Sequence, residues 1–366
     1  MKFDCAKDTL IQAVNIVSRS VSSKAVQPVL EGILFQVDHD RLELTATNME
    51  ISVKTAIPVN CTEAGSVVLQ SNLIADVVRK LSGSDVFFEI DDNYQTKIEC
   101  GLSTFNLRGL PDDEFPGFPP IADDDEFIID SVELKSMIND TVFAVAQREN
   151  IPVLTGMKLE ISGDQIRVIA LDGYRLAVRE GKLIKPASED LSVIVPGKSM
   201  SELARLLPDA EENIVVNLSK SQIFFEIGET RYTSRLLEGE FINFRNIIPK
   251  EKNTSVVIDR QELLLGTERT ALMARVGKNN LIKMDFEGDK VILTSNAEDV
   301  GTARDMVPIQ KTGDDIRIAF NSKFVIDVLR ALKSDKITMD FTNQVGPMTI
   351  EGEGYTYLIL PVRVMN

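Results

Sequence analysis

The sequence predicts an α+β protein made of three tandem copies of one domain, each with two helices laid over antiparallel sheet. Three observations carry that reading. Asn48, Asp172 and Asn296 fall at equal steps of 124 residues, and Pro28 and Gly32 precede Pro152 and Gly156 by the same interval. The stretches QSNLIADVVRKL (70–81), PGKSMSELARLL (196–207) and NSKFVIDVLRAL (321–332) superpose without a gap. Each places an acidic residue three positions before an arginine: Asp76 and Arg79, Glu202 and Arg205, Asp327 and Arg330. The period divides 366 residues into units of roughly 120, each able to bury its own core and far longer than a solenoid repeat.

The repeat reads most clearly over 151–178, IPVLTGMKLEISGDQIRVIALDGYRLAV. Met157, Leu159 and Ile161 alternate with polar residues, Gly163-Asp164 supplies a turn, and Ile166, Val168 and Ala170 return, which is the pattern of a half-buried hairpin. Asn48, Asp172 and Asn296 are expected to lock hairpin turns through their side chains. Helices are expected over 7–24, 71–82, 131–148, 198–206, 260–278 and 322–333. In the first, Leu10, Val14, Val17 and Val21 form an apolar stripe with Arg19 on the other side. In the second, Leu73, Val77 and Leu81 form the stripe and Arg79 opposes it; Arg205 opposes Leu203 and Arg330 opposes Val328 in the later copies. The alternating runs 42–44, 86–90, 214–218, 223–227 and 336–341 read as short strands, giving roughly eight per repeat. Two segments rich in aromatic residues, proline and charge, 111–127 and 241–255, close repeats and set the expected domains at 1–121, 127–250 and 254–366.

A net charge of −16 argues at first against nucleic acid, whose phosphates are bound by Lys and Arg displacing counterions. The bulk value hides a segregation. The six expected helices hold 16 Lys/Arg against 8 Asp/Glu, so the remainder of the chain is strongly acidic. Three such domains bent into an arc, helices inward, would present a positive lumen to a polyanion and repel it elsewhere. For any one of these arginines the plainer reading is the solvated side of a surface helix, with the i,i+3 acid as its salt-bridge partner.

Catalytic chemistry finds little support. His39, the one histidine, stands in the turn Asp38-His39-Asp40 with no nucleophile implied by spacing, and no phosphate-binding glycine loop occurs. The run Asp123-Asp124-Asp125-Glu126 reads as a solvated linker, because adjacent carboxylates repel and lack a converging scaffold; a metal-dependent hydrolase using them is the weakest alternative. Cys5, Cys61 and Cys100 fit neither a disulfide framework nor a zinc site and are expected as small buried or strand residues. No signal segment and no apolar run near 18 residues appears, so a cytoplasmic protein with no membrane association, metal or cofactor is expected.

The triplicated helix motif, the start MKF, LDGYRLAV (171–178), SRLLEGEFINFRNIIP (234–249) and YLILPVRV (357–364) together resemble the bacterial sliding clamp, the β subunit of DNA polymerase III, over the whole chain. The resemblance implies the DNA clamp fold and a non-catalytic, ring-forming homodimer. It implies that the ring encircles double-stranded DNA and makes the replicative polymerase processive. It also implies a site for linear peptide motifs of the polymerase, the clamp loader, mismatch-repair and translesion factors. The matching positions are Leu154, Leu171, Gly173, Tyr174, Arg175, Leu176, Ile242, Asn246, Ile247, Leu358, Leu360, Pro361, Val362 and Arg363. Aliphatic residues there would receive apolar anchors, and Arg175 and Arg363 would donate to peptide carbonyls or carboxylates. Ordinary core packing is the competing account of Leu154, Leu171 and Leu360.

Ile242 and Asn246 stand where family members often carry proline and arginine. For ring closure the matching residues are Phe105 and Leu107 on one edge and Leu272, Met273, Glu298 and Asp299 on the other, with Leu102 and Thr104 where arginines are common. Lys24, Arg148, Lys198 and Arg205 match DNA-facing positions. Arg79, Arg269, Arg275, Arg330 and Lys333 join them from the helix-face argument. A repeat-built protein-interaction scaffold that never encircles DNA is the alternative function.

Overall fold

A computed structural model of the chain describes residues 1–22, 27–120, 125–148, 151–276, 280–297 and 300–363. Six α-helices are present among them: α1 (Lys7–Val17), α2 (Ser71–Lys80), α3 (Ser131–Asn139), α4 (Gly197–Leu206), α5 (Arg260–Val276) and α6 (Ser322–Ala331). Three begin at a side-chain cap. Asp130 Oδ1 accepts from Val132 N at 2.9 Å, Asp259 Oδ1 from Glu262 N at 2.8 Å, and Asn321 Oδ1 from Lys323 N at 3.0 Å. Each satisfies a first-turn N–H that the helix itself leaves without an acceptor.

Two helices are shorter than the sequence pattern suggests, for the same physical reason. At the end of α1, Ser18 Oγ donates to Val14 O at 2.6 Å and Ser20 Oγ to Val17 O at 2.9 Å, so hydroxyls compete for the last carbonyls and the chain tightens into a 3-10 turn. After α3, Thr141 Oγ1 donates to Met137 O at 2.6 Å, and a 3-10 turn at Val142–Ala144 replaces the expected helix to 148. In α2, Val77 and, at its C-cap, Leu81 are buried as expected, but Leu73 is 44% exposed and Ile74, Ala75 and Val78 complete the buried face in its place. As folded, the six helices hold 11 Lys/Arg and 7 Asp/Glu, so part of the expected positive excess belongs to the turns that follow them.

The chain packs as two compact units, the first comprising 1–132, 184–189 and 205–236 and the second 133–183, 190–204 and 237–366. In the first, a five-stranded sheet ends in the edge strand Ser103–Arg108, and an eight-stranded sheet runs through the first and second repeats. Its seam is the antiparallel pairing of Ile51–Pro58 with Thr230–Arg235, Tyr232 opposite Val53. In the second unit a twelve-stranded sheet joins the second and third repeats in the same way, Arg175–Lys182 pairing with Tyr355–Ile359 and Ala177 facing Tyr357. The expected hairpin is there: Leu159 opposes Val168 and Ile161 opposes Ile166 across a turn with Gly163 at φ 58°. Repeats meet strand to strand, so each seam is held by main-chain hydrogen bonds.

His39 sits at φ 51°, fully in a turn, with Nδ1 at 2.9 Å from Asp38 Oδ1. All three cysteines are free, Cys5 and Cys100 buried and Cys61 half-buried. Burial, reinforced by Asp4 and Asp85, pushes the Cys5 thiol up to about 12, which leaves it unreactive. Asp123 and Asp124 lie outside the described residues, and Glu126 pairs with Lys185 at 2.7 Å. No described helix is long and apolar enough to cross a membrane.

Candidate peptide groove, DNA-facing residues and sheet edges

The loop after Leu171 shows how the groove is built. Asp172 Oδ1 accepts from Tyr174 N at 2.9 Å and Arg175 N at 3.1 Å, and Gly173 takes φ 88°, which completes a tight turn between two strands. Asn48 makes the same turn with Glu50 N and Ile51 N, at 3.0 and 2.8 Å. Asn296 instead stays in the strand Lys290–Ala297, opposite Thr302. The turn lifts Tyr174 to 64% exposure while burying its neighbours Leu171, Arg175 and Leu176.

Around that turn Leu154, Ile169, Leu171, Leu176, Val178, Phe244 and Leu358 form one buried apolar cluster, with Val153, Phe241, Ile248 and Leu360 half-buried against it. Ile242, 41% exposed, and Ile247 are exposed on the segment that carries Phe241, Phe244 and Ile248. Leu154, Leu171, Leu176 and Leu358 are therefore floor, whereas Tyr174, Ile242, Ile247 and Leu360 present surface. Asn246 is exposed on the 3-10 turn Phe244–Asn246.

The tail divides two surfaces. Leu360 N donates to Tyr174 O and Val362 N to Ala319 O, both at 2.8 Å. Pro361, Val362 and Arg363 thereby line a second cleft of about 730 Å³, shared with Arg317, Gln344 and Val345.

Arg175 departs from expectation. It is 5% exposed, and its donors are spent inside the protein: Nε on Asp172 Oδ2 at 3.0 Å, Nη1 on Asp327 Oδ2 at 2.7 Å, and Nη2 on Phe143 O. The guanidinium also lies 4.4 Å from the Phe324 ring centroid and 5.4 Å from that of Phe143. It is a pin between the second and third repeats: each guanidinium nitrogen is engaged within the protein and the side chain is all but buried, so it presents little to a peptide. Asp327 was expected to pair with Arg330 three residues on; Arg330 turns instead to Glu268 at 2.7 Å. Beside this pin Arg179 reaches Asp140 Oδ2 at 3.2 Å and Gly354 O at 2.8 Å, and Tyr357 Oη donates to Asp140 O at 2.9 Å. Burial, then the Asp140 charge, raises the Tyr357 phenol above its ordinary range, so it stays a donor.

The basic residues are exposed, and several are partly neutralised. Arg79 pairs with Asp76 at 2.6 Å, Arg269 with Asp305 at 2.5 Å and Arg330 with Glu268; Lys333 Nζ donates to Ser136 Oγ at 2.7 Å. Arg148 lies in the loop beyond α3 rather than on the helix, and Lys198, Arg205 and Arg275 are exposed on α4 and α5. Lys24 lies outside the described residues.

At the sheet edges, Phe105 and Leu107 are half-buried on Ser103–Arg108, which pairs only with Gln95–Cys100 among the described residues. In the third repeat, residues 301–308 of the strand Gly301–Gly313 pair with Lys290–Ala297 on one side, and pairing on the other side begins only at Ile309. That second edge, unpaired among the described residues and with Met306 56% exposed, was not anticipated; exposed and half-buried residues alternate along 302–306. Leu272 is exposed and Met273 half-buried on α5, with Met273 Sδ 3.8 Å from where a side chain on Gly301 would begin. Glu298 and Asp299 lie outside the described residues.

Comparison with known proteins matches every repeat. Residues 1–119 match the N-terminal domain of the DNA polymerase III beta subunit, 128–243 its central domain and 245–363 its C-terminal domain. The beta sliding clamp of Staphylococcus aureus is 34% identical over 375 residues, covering 99% of each chain. The crystal structure of a DNA polymerase sliding clamp from Bacillus subtilis superposes with a TM-score of 0.96 at 32% identity, covering all of both chains. A sliding clamp from Pseudomonas aeruginosa, solved bound to griselimycin, superposes over the full length of both chains with a TM-score of 0.92 at 26% identity. The two-helix, antiparallel repeat occurs three times, and relatives share the whole length, so the chain belongs to the DNA polymerase III beta subunit family of sliding clamps.

Proposed function

We infer that the chain works as a sliding clamp of DNA replication, a non-catalytic subunit that encircles duplex DNA and makes a polymerase processive by tethering it. The observation that carries this is the correspondence of all three repeats with clamp domains over the entire chain. Two copies close head to tail in this reading, the edge at Phe105 and Leu107 of one meeting the edge at 301–308, with Leu272 and Met273 beside it, of the other. The domains are taken as 1–121, 127–250 and 254–366, and the place of action as the cytoplasm. Contact with DNA comes from Arg148, Lys198, Arg205 and Arg275, helped by Arg79, Arg269, Arg330, Lys333 and Lys24. Because Arg79, Arg269 and Arg330 keep intramolecular carboxylate partners, phosphate must compete for them, and the grip stays weak enough to slide.

Polymerase, clamp loader and repair factors dock through short peptides whose apolar anchors fill the surface between Tyr174, Ile242, Ile247 and Leu360, above the Leu154, Leu171, Leu176 and Leu358 floor. Pro361, Val362 and Arg363 continue that surface on the far side of the tail, and griselimycin, with which the Pseudomonas relative was solved, is the ligand we assign to this groove here.

The experiment is retention on nicked circular plasmid, loaded with clamp loader and ATP, before and after the DNA is cut. A topological link survives salt that abolishes Lys/Arg contacts and is lost on linearisation. Equal loss from circle and linear DNA would favour the scaffold that never encircles DNA.

A further inference from the structure

The rim residues Ile242 and Ile247 ride on a segment with little main-chain support. Leu237 N donates to Ile194 O at 2.8 Å and Asn253 N to Phe341 O at 2.9 Å. Between those points the regular structure is one 3-10 turn, Phe244–Asn246, closed by Ile247 N on Phe244 O at 3.0 Å. Side chains must do the anchoring. Phe244 is buried in the apolar cluster, and Phe241 and Ile248 are half-buried against it, but all three contacts are apolar and non-directional, so they hold the segment down without fixing how Ile242 and Ile247 are turned.

The second anchor is an ion pair. Arg245 Nη2 lies 2.7 Å from Glu160 Oε2, with its guanidinium carbon 4.8 Å from the Phe244 ring centroid, so both anchors meet at consecutive residues that a 3-10 turn aims in different directions. Glu160 belongs to the strand Gly156–Ser162, between the buried core residues Leu159 and Ile161, and its side chain stands on the opposite face. There it collects three cations. Lys158 Nζ is at 2.8 Å from Oε1, and Arg167 Nη1 at 3.3 Å from Oε2 while its own fork rests on Glu180 Oε1 at 2.7 Å. Lys158 Nζ in turn stands 6.0 Å from the ring centroid of Phe241, at the start of the same segment. Partial burial opposes ionisation of Glu160, yet the hydrogen bonds and charges of Lys158 and Arg245 outweigh it and bring the carboxyl to about 2, so the anchor is charged at any working pH.

We propose that Glu160 is a positioning residue of the groove: through Arg245 it fixes the segment carrying Ile242 and Ile247, and so sets the affinity for an apolar ligand it never touches. The proposal rests on the groove reading given above. With Glu160 neutral, Lys158, Arg167 and Arg245 are left as three neighbouring cations, and Arg245, the most exposed of them, is the one free to leave.

The test measures griselimycin affinity by titration calorimetry on the full chain, with thermal unfolding in parallel. The variants are Glu160→Gln, Arg245→Gln, their double and Arg245→Lys. Each single Gln variant weakens binding on the order of tenfold. The double is no worse than the weaker single, because both remove one contact, and Arg245→Lys keeps most of the affinity. A change in folding temperature with unchanged affinity of the folded protein, or effects that multiply in the double, would overturn the proposal; Arg245→Gln decides it should Glu160→Gln not fold. Leu360→Asp separates the two levels. If Leu360→Asp abolishes binding and Glu160→Gln does not alter it, the groove stands and Glu160 has no part in it. Unchanged binding by Leu360→Asp, or none by the wild-type chain, would overturn the groove and this proposal with it.

Discussion

Replacing Arg175 by methionine removes a guanidinium that serves Asp172, Asp327 and Phe143 O at once, while keeping a side chain of similar length. Two carboxylates lose their partner, but unequally. Asp172 keeps its two main-chain donors, Tyr174 N and Arg175 N, so its charge remains solvated by the turn. Asp327 loses its 2.7 Å contact and is mostly buried, and Phe143 O loses its donor. Breaking a buried pair costs about 3–5 kcal/mol, and the contact with the Phe324 ring adds about 1 kcal/mol. Discounting for the water that reaches Asp327 and for the retained Asp172 turn leaves roughly 3 kcal/mol, which for a unit of this size lowers the unfolding temperature by roughly 6–12 °C. Arg175→Lys keeps a charge but not the planar fork that serves Nε, Nη1 and Nη2 at once, and falls between. Differential scanning calorimetry reads the first quantity, and griselimycin titration on the folded variant reads the second. A variant that melts with the wild type yet loses ligand affinity more than tenfold would refute the pin and return Arg175 to the role of a direct peptide donor.

Four further outcomes are expected. Ile242→Ser, on the exposed rim, weakens griselimycin several-fold in calorimetry while unfolding stays within about 0.5 kcal/mol of wild type, as for other surface changes. The Glu160 carboxyl lies below its ordinary 4.5, so its stabilisation is complete above pH 4.5 and fades as pH falls toward 2. With the exposure of Arg245 discounted it amounts to about 1–2 kcal/mol, and a Glu160→Gln chain shows a flatter acid limb in urea unfolding at stepped pH. Lys198→Ala lowers the steepness of log affinity for DNA against log salt by about one unit, equally for unrelated sequences, in fluorescence anisotropy. Leu107→Asp places a charge on the edge strand Ser103–Arg108 and shifts sedimentation toward the single chain with folding unchanged.

What could be read in advance was local. The hairpin of 156–171 follows from strict alternation on either side of Gly163-Asp164, and Asp130, Asp259 and Asn321 mark helix starts by a bond that spans only a few residues. The misreading of Asp327 is long-range. Asp327 and Arg330 have the right spacing to pair on a helix, but Arg175, 152 residues away, offers Asp327 a drier and better-directed contact, and Glu268 then takes Arg330. Glu160 looks like one polar residue of an alternating strand; nothing nearby in sequence reveals that Arg245 will reach it. Helix α3 was overextended because apolar periodicity persists through Val142 and Val145, while the decisive interaction is the Thr141 hydroxyl on a carbonyl. The resemblance named candidate groove positions, and burial divides them into buried residues such as Leu171 and Leu176, exposed ones such as Tyr174 and Ile242, and the internally paired Arg175.

The strand edges at 103–108 and 301–308, proposed above to meet, belong to different repeats and have different sequences, so a contact between them is polar in the sense that a plug and a socket are polar. Each added copy uses one edge of either kind and leaves one of either kind open. Nothing in the edges themselves tells such a series where to stop. Whether such a series closes into a ring or runs on as an open filament is decided by the angle from one copy to the next.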